Sequence, residues 1–241
     1  MSILFEINPP KVIEDESDSE SSERMHHLTH RLGTILDMCD GTLITDSVLG
    51  KPRFDPIDMA KMIKESHPNL ETIVSMRTID KTAVETSLFA TRVKTAKISG
   101  ILVVKGDPSN DNDSRLVPST IAKMLNSTVN TYLSIPSKPN FVKIQKKINV
   151  QPAGFFTQIV KNIDDVGYIC KKLTPMGFRI IPCILVPSQK NLTSAKFLNL
   201  DWSSYSDDVA GFIKSVHKIA GDVLLTSPSD IQTASNILKT I

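Results

Sequence analysis

The chain has 241 residues, with 28 Lys+Arg against 26 Asp+Glu, and 40% of its residues are hydrophobic. That length buries one large core or two modest ones, and the composition is that of a globular protein, neither disordered nor fibrous. The net charge of +2 argues against broad electrostatic binding of nucleic acid, and no run approaches the ~20 apolar residues of a membrane span. Three cysteines, Cys39, Cys170 and Cys183, are too few and too scattered for a disulfide framework or a thiolate metal site. They fit reduced, buried thiols. The opening Met-Ser-Ile-Leu-Phe-Glu has neither the basic nor the long apolar region of a signal peptide, so the expectation is a cytoplasmic protein.

One theme then repeats along the chain: a short apolar β-rich run, polar residues, and a helical pattern. The candidate strands are 2–7, 41–45, 71–77, 100–105, 131–135, 154–159, 179–185 and 222–226. Runs such as Ile101-Leu-Val-Val and Ile180-Ile-Pro-Cys-Ile-Leu are continuously apolar, as in parallel strands covered on both faces. After the first strand, the acidic, Ser-rich run 14–23 reads as a mobile, solvated loop leading to a helix that starts near Glu23. His26 and His30 in that helix have the i,i+4 spacing of a metal edge, but no third ligand accompanies them and a surface face is the reading. The cluster Lys143, Lys146 and Lys147 lies on a later helix, where Lys143 and Lys147 share a face. Ile163, Val166, Ile169, Cys170, Leu173 and Met176 form a helical stripe ended by Gly177; Val209, Phe212, Ile213, Val216 and Ile219 form another, ended by Gly221. A terminal helix follows Ser229 as its expected N-cap.

Eight strands alternating with helices predict a (β/α)8 TIM barrel, α/β in class, as a single domain over residues 1–241. The competing architecture is a doubly wound open sheet, but no Gly-rich fingerprint follows the first strand. In a barrel the chemistry sits at the C-terminal ends of the strands. Glu6, Asp46 and Asp107 are three carboxylates expected on that rim. Glu6, between Phe5 and Ile7, suits either a desolvated general acid or an acid paired inside the barrel. Gln158 ends the sixth strand, where an amide can both donate to and accept from a heterocycle edge.

Several segments together resemble the methylenetetrahydrofolate reductase family, as a short and divergent member. Phe5-Glu6-Ile7-Asn8-Pro9-Pro10 resembles the family's opening strand motif, and Ile44-Thr45-Asp46-Ser47 its second-strand segment. Val74-Ser75-Met76-Arg77 takes the place of the third-strand motif, with Ser75 near the family's usual His. Lys105-Gly106-Asp107 is similar to its Gly-Asp turn, Phe156-Thr157-Gln158 to its Thr-Gln motif, and Ile181-Pro-Cys-Ile-Leu to its seventh-strand motif.

The resemblance implies flavin-dependent reduction of 5,10-methylenetetrahydrofolate, or a related C1-pterin, to the 5-methyl form. It makes Glu6 and Asp107 catalytic and gives Thr157 and Gln158 to the pterin. It gives FAD to Thr45, Ser75, Asp107, Lys146 and Lys147, with NAD(P)H as electron donor. The partner it implies is a small folate or pterin, with no nucleic acid and no membrane; a homo-oligomer or partner protein is compatible with it. The alternative is a non-catalytic or flavin-independent pterin-binding barrel acting with a partner. The fifth-strand loop, Leu133-Ser-Ile-Pro-Ser-Lys-Pro, is shorter than the family's and lacks its Tyr and His.

Overall fold

Neighbouring residues on a strand point to opposite faces, so each strand here divides its side chains between two apolar cores. In β1 (Ser2–Ile7), Ile3, Phe5 and Ile7 join the core under the helices, while Leu4 joins a second core inside the barrel. A computed structural model describes residues 2–47, 51–79, 81–106 and 116–241. The further strands are β2 (Gly41–Ile44), β3 (Glu71–Arg77), β4 (Gly100–Val104), β5 (Thr131–Ile135), β6 (Gly154–Ile159), β7 (Arg179–Leu185) and β8 (Asp222–Thr226). All eight pair in parallel, in chain order, and β8 returns to β1, so the sheet closes into the expected (β/α)8 barrel.

The helices among the described residues are α1 (Asp18–Leu36), α2 (Pro56–Ser66), α3 (Ala83–Thr95), α4 (Pro118–Leu125), α5 (Phe141–Asn149), α6 (Ile163–Leu173), α7 (Leu192–Phe197), α8 (Val209–Ala220) and α9 (Ile231–Leu238). Two of their ends differ from expectation. Helix α1 starts at Asp18, five residues before Glu23, because Ser17 closes a capping box. Its hydroxyl accepts from the Glu20 N–H at 3.3 Å, and the Glu20 carboxylate accepts from the Ser17 N–H at 3.0 Å. The second half of the acidic run is therefore helix. In α9 the N-cap is Asp230, not Ser229; its carboxylate accepts from the Thr233 N–H at 3.2 Å. None of the helices is long and apolar enough to cross a membrane, among the described residues.

The inside of the barrel is layered. Its middle is apolar, built from Leu4, Leu43, Ile73, Leu102, Phe156 and Leu224 among others. Its floor, at the N-terminal ends of the strands, is an ion cluster. Arg179 Nη1 meets Glu71 Oε1 at 2.5 Å, while its Nη2 and Nε meet the two Asp222 oxygens at 2.6 and 2.9 Å. Ser2 Oγ donates to Asp222 Oδ1 at 2.7 Å. The cluster fits because β6 begins with glycine: a Cβ on Gly154 would lie 2.3 Å from the Arg179 carbonyl oxygen. Burial alone would raise the Asp222 carboxyl, but hydrogen bonds from Arg179 and Ser2, with the Arg179 and His217 charges, hold it below its ordinary range.

A carboxyl depressed in the fold contributes stability above its unfolded pKa and loses it as pH falls through the folded one. The parent protein is therefore expected to unfold at lower urea concentration as pH drops below about 4. Arg179→Met leaves Glu71 and Asp222 facing each other without their cation. At pH 7 it is expected to cost about 3 kcal/mol, and less as acid neutralises the two carboxylates.

Candidate active site at the mouth of the barrel

The alternation that sends Leu4 inward also sends Glu6 inward, one layer nearer the C-terminal mouth. Pairing of β1 with β8 sets Leu4 beside Leu224 and Phe5 beside Leu225, so Thr226 falls in the Glu6 layer. Thr226 Oγ1 donates to Glu6 Oε1 at 2.7 Å. The Asn8 side chain is a second hydrogen-bond partner of the same carboxyl. Asn8 is itself held, because Thr45 Oγ1 donates to its Oδ1 at 2.8 Å. Burial raises the Glu6 carboxyl above its ordinary value, and the bonds from Thr226 and Asn8 oppose this only in part. Among the described residues, the groups that oppose the rise are the neutral side chains of Thr226 and Asn8.

Cys183, on β7, pairs with Leu224 and lies near Glu6. Burial pushes its thiol well above the ordinary value, and the nearby Glu6 carboxylate adds to the rise. That thiol is a protonated, inert group at neutral pH. The Cys183 N–H donates to Thr157 Oγ1 at 3.1 Å. The β6–β7 register slips between Phe156 and Ile159, and at this bulge the Thr157 hydroxyl takes a bond that the strand backbone would otherwise supply. Thr157 is thus buried and committed to the sheet, whereas Gln158, on the same bulge, is exposed.

The other rim residues have structural work. Asp46 Oδ2 accepts from the Arg77 N–H at 3.0 Å, and its Oδ1 from the Ser47 N–H at 2.6 Å. Lys81 Nζ lies 3.7 Å from Asp46 Oδ2. The Ser75 hydroxyl accepts from the Asp46 N–H at 2.6 Å. Asp46 and Ser75 therefore join the ends of β2 and β3, and Asp46 does not stand beside Glu6 as a second free acid. Asp107 lies outside the described residues, as does Asp80 of the third-strand segment. The glycine before Asp107 is constrained: Gly106 has φ 87°, and a Cβ there would lie 2.6 Å from Arg77 Nε.

The lysine cluster divides. Lys143 and Lys146 are exposed on α5. Lys147 is half-buried, its Nζ donating to the Ser134 carbonyl at 2.5 Å, and burial pushes its ammonium below the ordinary value. Lys143 and Lys147 accordingly do not present one shared cationic face.

This geometry bears on the flavin that the sequence resemblance implies. The Thr45 hydroxyl is given to Asn8, the Ser75 hydroxyl to Asp46, and the Lys147 ammonium to Ser134. Lys146 points from an exposed helical position. The described residues hold no group of three or more His, Cys, Asp or Glu side chains arranged for a metal. Asn8 and Cys183 lie within the first- and seventh-strand motifs and Thr226 ends the eighth strand, but none of the three carries a role in the sequence reading.

No protein-family model matches the chain, and no curated protein matches it in sequence. In structure it is similar to riboflavin lyase crystallised with modified FMN and riboflavin, with TM-score 0.65 and 10% identity over 99% of this chain and 89% of that one. It is equally similar to long-chain alkane monooxygenase, again with TM-score 0.65 and 10% identity over 99% and 89% of the two chains. A 7,8-dihydropteroate synthase from Vibrio fischeri ES114 aligns with TM-score 0.53 and 12% identity, over 99% of this chain and 91% of that one. At these identities the likeness establishes the fold alone, a TIM-barrel scaffold.

Proposed function

We propose that the mouth of this barrel binds a reduced C1-pterin of the 5,10-methylenetetrahydrofolate kind, and that Glu6 is the proton donor in its reduction to the 5-methyl form. The observation that carries the reading is the Glu6 carboxyl itself. It lies inside the mouth, is raised by burial, and accepts from the neutral Thr226 hydroxyl. A carboxyl so placed keeps a transferable proton closer to neutral pH than an exposed one. The choice of pterin rests on the ordered resemblance of the strand motifs, from Glu6-Ile7-Asn8-Pro9-Pro10 to Thr157-Gln158.

Proton transfer from Glu6 to a ring nitrogen breaks that nitrogen's bond to the bridging carbon and leaves an iminium at the other nitrogen. Hydride then adds to the iminium carbon. In this reading NAD(P)H supplies it as a second substrate, since Thr45, Ser75 and Lys147 are engaged within the protein. Gln158, exposed beside the mouth on the β6 bulge, offers its amide to the pterin edge, and the role of stabilising the developing cation goes to Asp107 on the Gly-Asp motif resemblance alone.

Two measurements test the reading. Glu6→Gln keeps the shape and removes the proton, so kcat for NAD(P)H-dependent methylenetetrahydrofolate reduction is expected to fall about 10²–10⁴-fold, with substrate affinity changed little. Unchanged turnover in that variant would remove Glu6 from the mechanism. Purified parent protein is expected to be colourless and to show no saturable fluorescence change on titration with FAD. Stoichiometric yellow flavin would overturn the assignment of hydride to NAD(P)H.

A further inference from the structure

A short antiparallel ribbon stands at the β1–β2 side of the mouth. The Val12 N–H donates to the Pro52 carbonyl and the Phe54 N–H to the Pro10 carbonyl, both at 3.0 Å, which sets Lys11 opposite Arg53. These bonds flank the pair and do not join it, so Lys11 and Arg53 hold the non-hydrogen-bonded position, where facing side chains come closest. Alternation decides the face. Phe54 packs on the core under the helices, with the Arg24 guanidinium 5.9 Å from its ring, and Arg53 projects to the other side. There its Nη1 donates to the Pro9 carbonyl at 2.5 Å, just past the end of β1.

Two like charges directly opposite each other on a ribbon repel. The nearby carboxylates are committed elsewhere. Asp55 accepts from the Ile57 and Asp58 N–H groups and from Arg92 Nη1, and Glu16 is held by Arg24. Among the described residues no carboxylate pairs with Lys11 or Arg53. Arg53 Nε is buried without a hydrogen-bond partner, and Nη2 makes no bond among the described residues. These two nitrogens form one edge of the guanidinium, a fork whose spacing matches two oxygens of an oxyanion. Burial pushes the Arg53 guanidinium below its ordinary value, with no anion to offset it. Two facing cations suit a dianion, whereas a single carboxylate neutralises only one of them.

We propose that Lys11 and Arg53 form a phosphate-binding site on the rim of the mouth, with the Nε–Nη2 edge of Arg53 taking two phosphate oxygens and the Lys11 ammonium a third. Lys11 follows Glu6 by five residues, so their Cα atoms are at most about 18 Å apart. The site therefore lies within reach of a molecule that extends outward from Glu6. Its assignment to a phosphate of the NAD(P)H that supplies hydride rests on the proposed reduction; the affinity for phosphate does not.

The test follows the guanidinium directly. Full-length protein labelled with nitrogen-15 in its arginine side chains is titrated with inorganic phosphate at constant ionic strength, and the Nε–H signals are read by NMR. The Arg53 signal is assigned from its loss in Arg53→Lys. A saturable shift of that signal is expected. Lys11→Ala, which alters an exposed side chain, should weaken phosphate about tenfold. Benzoylglutamate, which carries the carboxylates of a folate tail, should bind at least about tenfold more weakly than phosphate. If Arg53→Lys does not fold, calorimetric titration of the parent and Lys11→Ala with phosphate decides by the same tenfold difference. In turnover, Lys11→Ala should raise KM for NAD(P)H about tenfold and leave kcat and the KM for pterin within about twofold. An Arg53 signal unmoved by phosphate, or an affinity that Lys11→Ala leaves unchanged, would overturn the site. Benzoylglutamate binding more tightly than phosphate would give these cations to the pterin's tail and overturn the phosphate assignment. Phosphate binding as stated, in a protein that reduces no pterin, would uphold the site and discard the proposed reduction.

Discussion

Closure of the barrel by β8 against β1 is the constraint on which both ends of the molecule depend. Its register sets Ser2 beside Asp222, Leu4 beside Leu224 and, by continuation, Glu6 beside Thr226. At the floor, Ser2 thereby reaches Asp222, which holds Arg179, which holds Glu71 from the far side of the barrel. At the mouth, the same pairing brings Thr226 to the carboxyl of Glu6. A one-residue slip would turn Glu6 outward under the helices and Phe5 inward, losing the floor and the mouth together.

Two carboxylates near the mouth, Glu6 and Asp46, illustrate how surroundings divide one chemistry into two roles. Asp46 is surrounded by backbone N–H groups and a lysine, and these keep it an acceptor that joins two strand ends. Glu6 sits deeper, among Thr226, Asn8 and a protonated Cys183. Burial there raises the Glu6 carboxyl above its ordinary value. The floor cluster marks the opposite extreme: Arg179 bonds two carboxylates at once, and this end of a barrel serves stability.

The sequence made the barrel legible because its strands are short apolar runs separated by helical stripes; six of the eight candidate strands have the observed bounds. The two that end one residue early, β2 and β4, do so where Thr45 and Lys105 leave the ladder for the rim. The start of α1 was written in Ser17-Asp-Ser-Glu20, a capping-box spacing masked by the acidic character of the run. At the site, alternation within β1 was enough to suggest that Glu6 was unusual. Its partners were not legible in the same way. Thr226 is 220 residues away and meets Glu6 only because the last strand pairs with the first. Asn8 stands with Glu6 in the first-strand motif, but nothing in the motif says what its side chain meets. The lysine cluster misled for a related reason: residues four apart share a helix face, but Lys147 bends inward to the Ser134 carbonyl.

The proposed chemistry assigns the new hydrogen on the one-carbon unit to NAD(P)H and the proton to Glu6. The most direct measurement incubates the protein with methylenetetrahydrofolate and NAD(P)H deuterated at the transferable position, then reads the product by mass spectrometry. The account predicts 5-methyltetrahydrofolate with one deuterium in its methyl group, at every solvent composition. A methyl group whose hydrogen comes from water, through an intervening carrier that exchanges with solvent, or the absence of any methyl product, would contradict it.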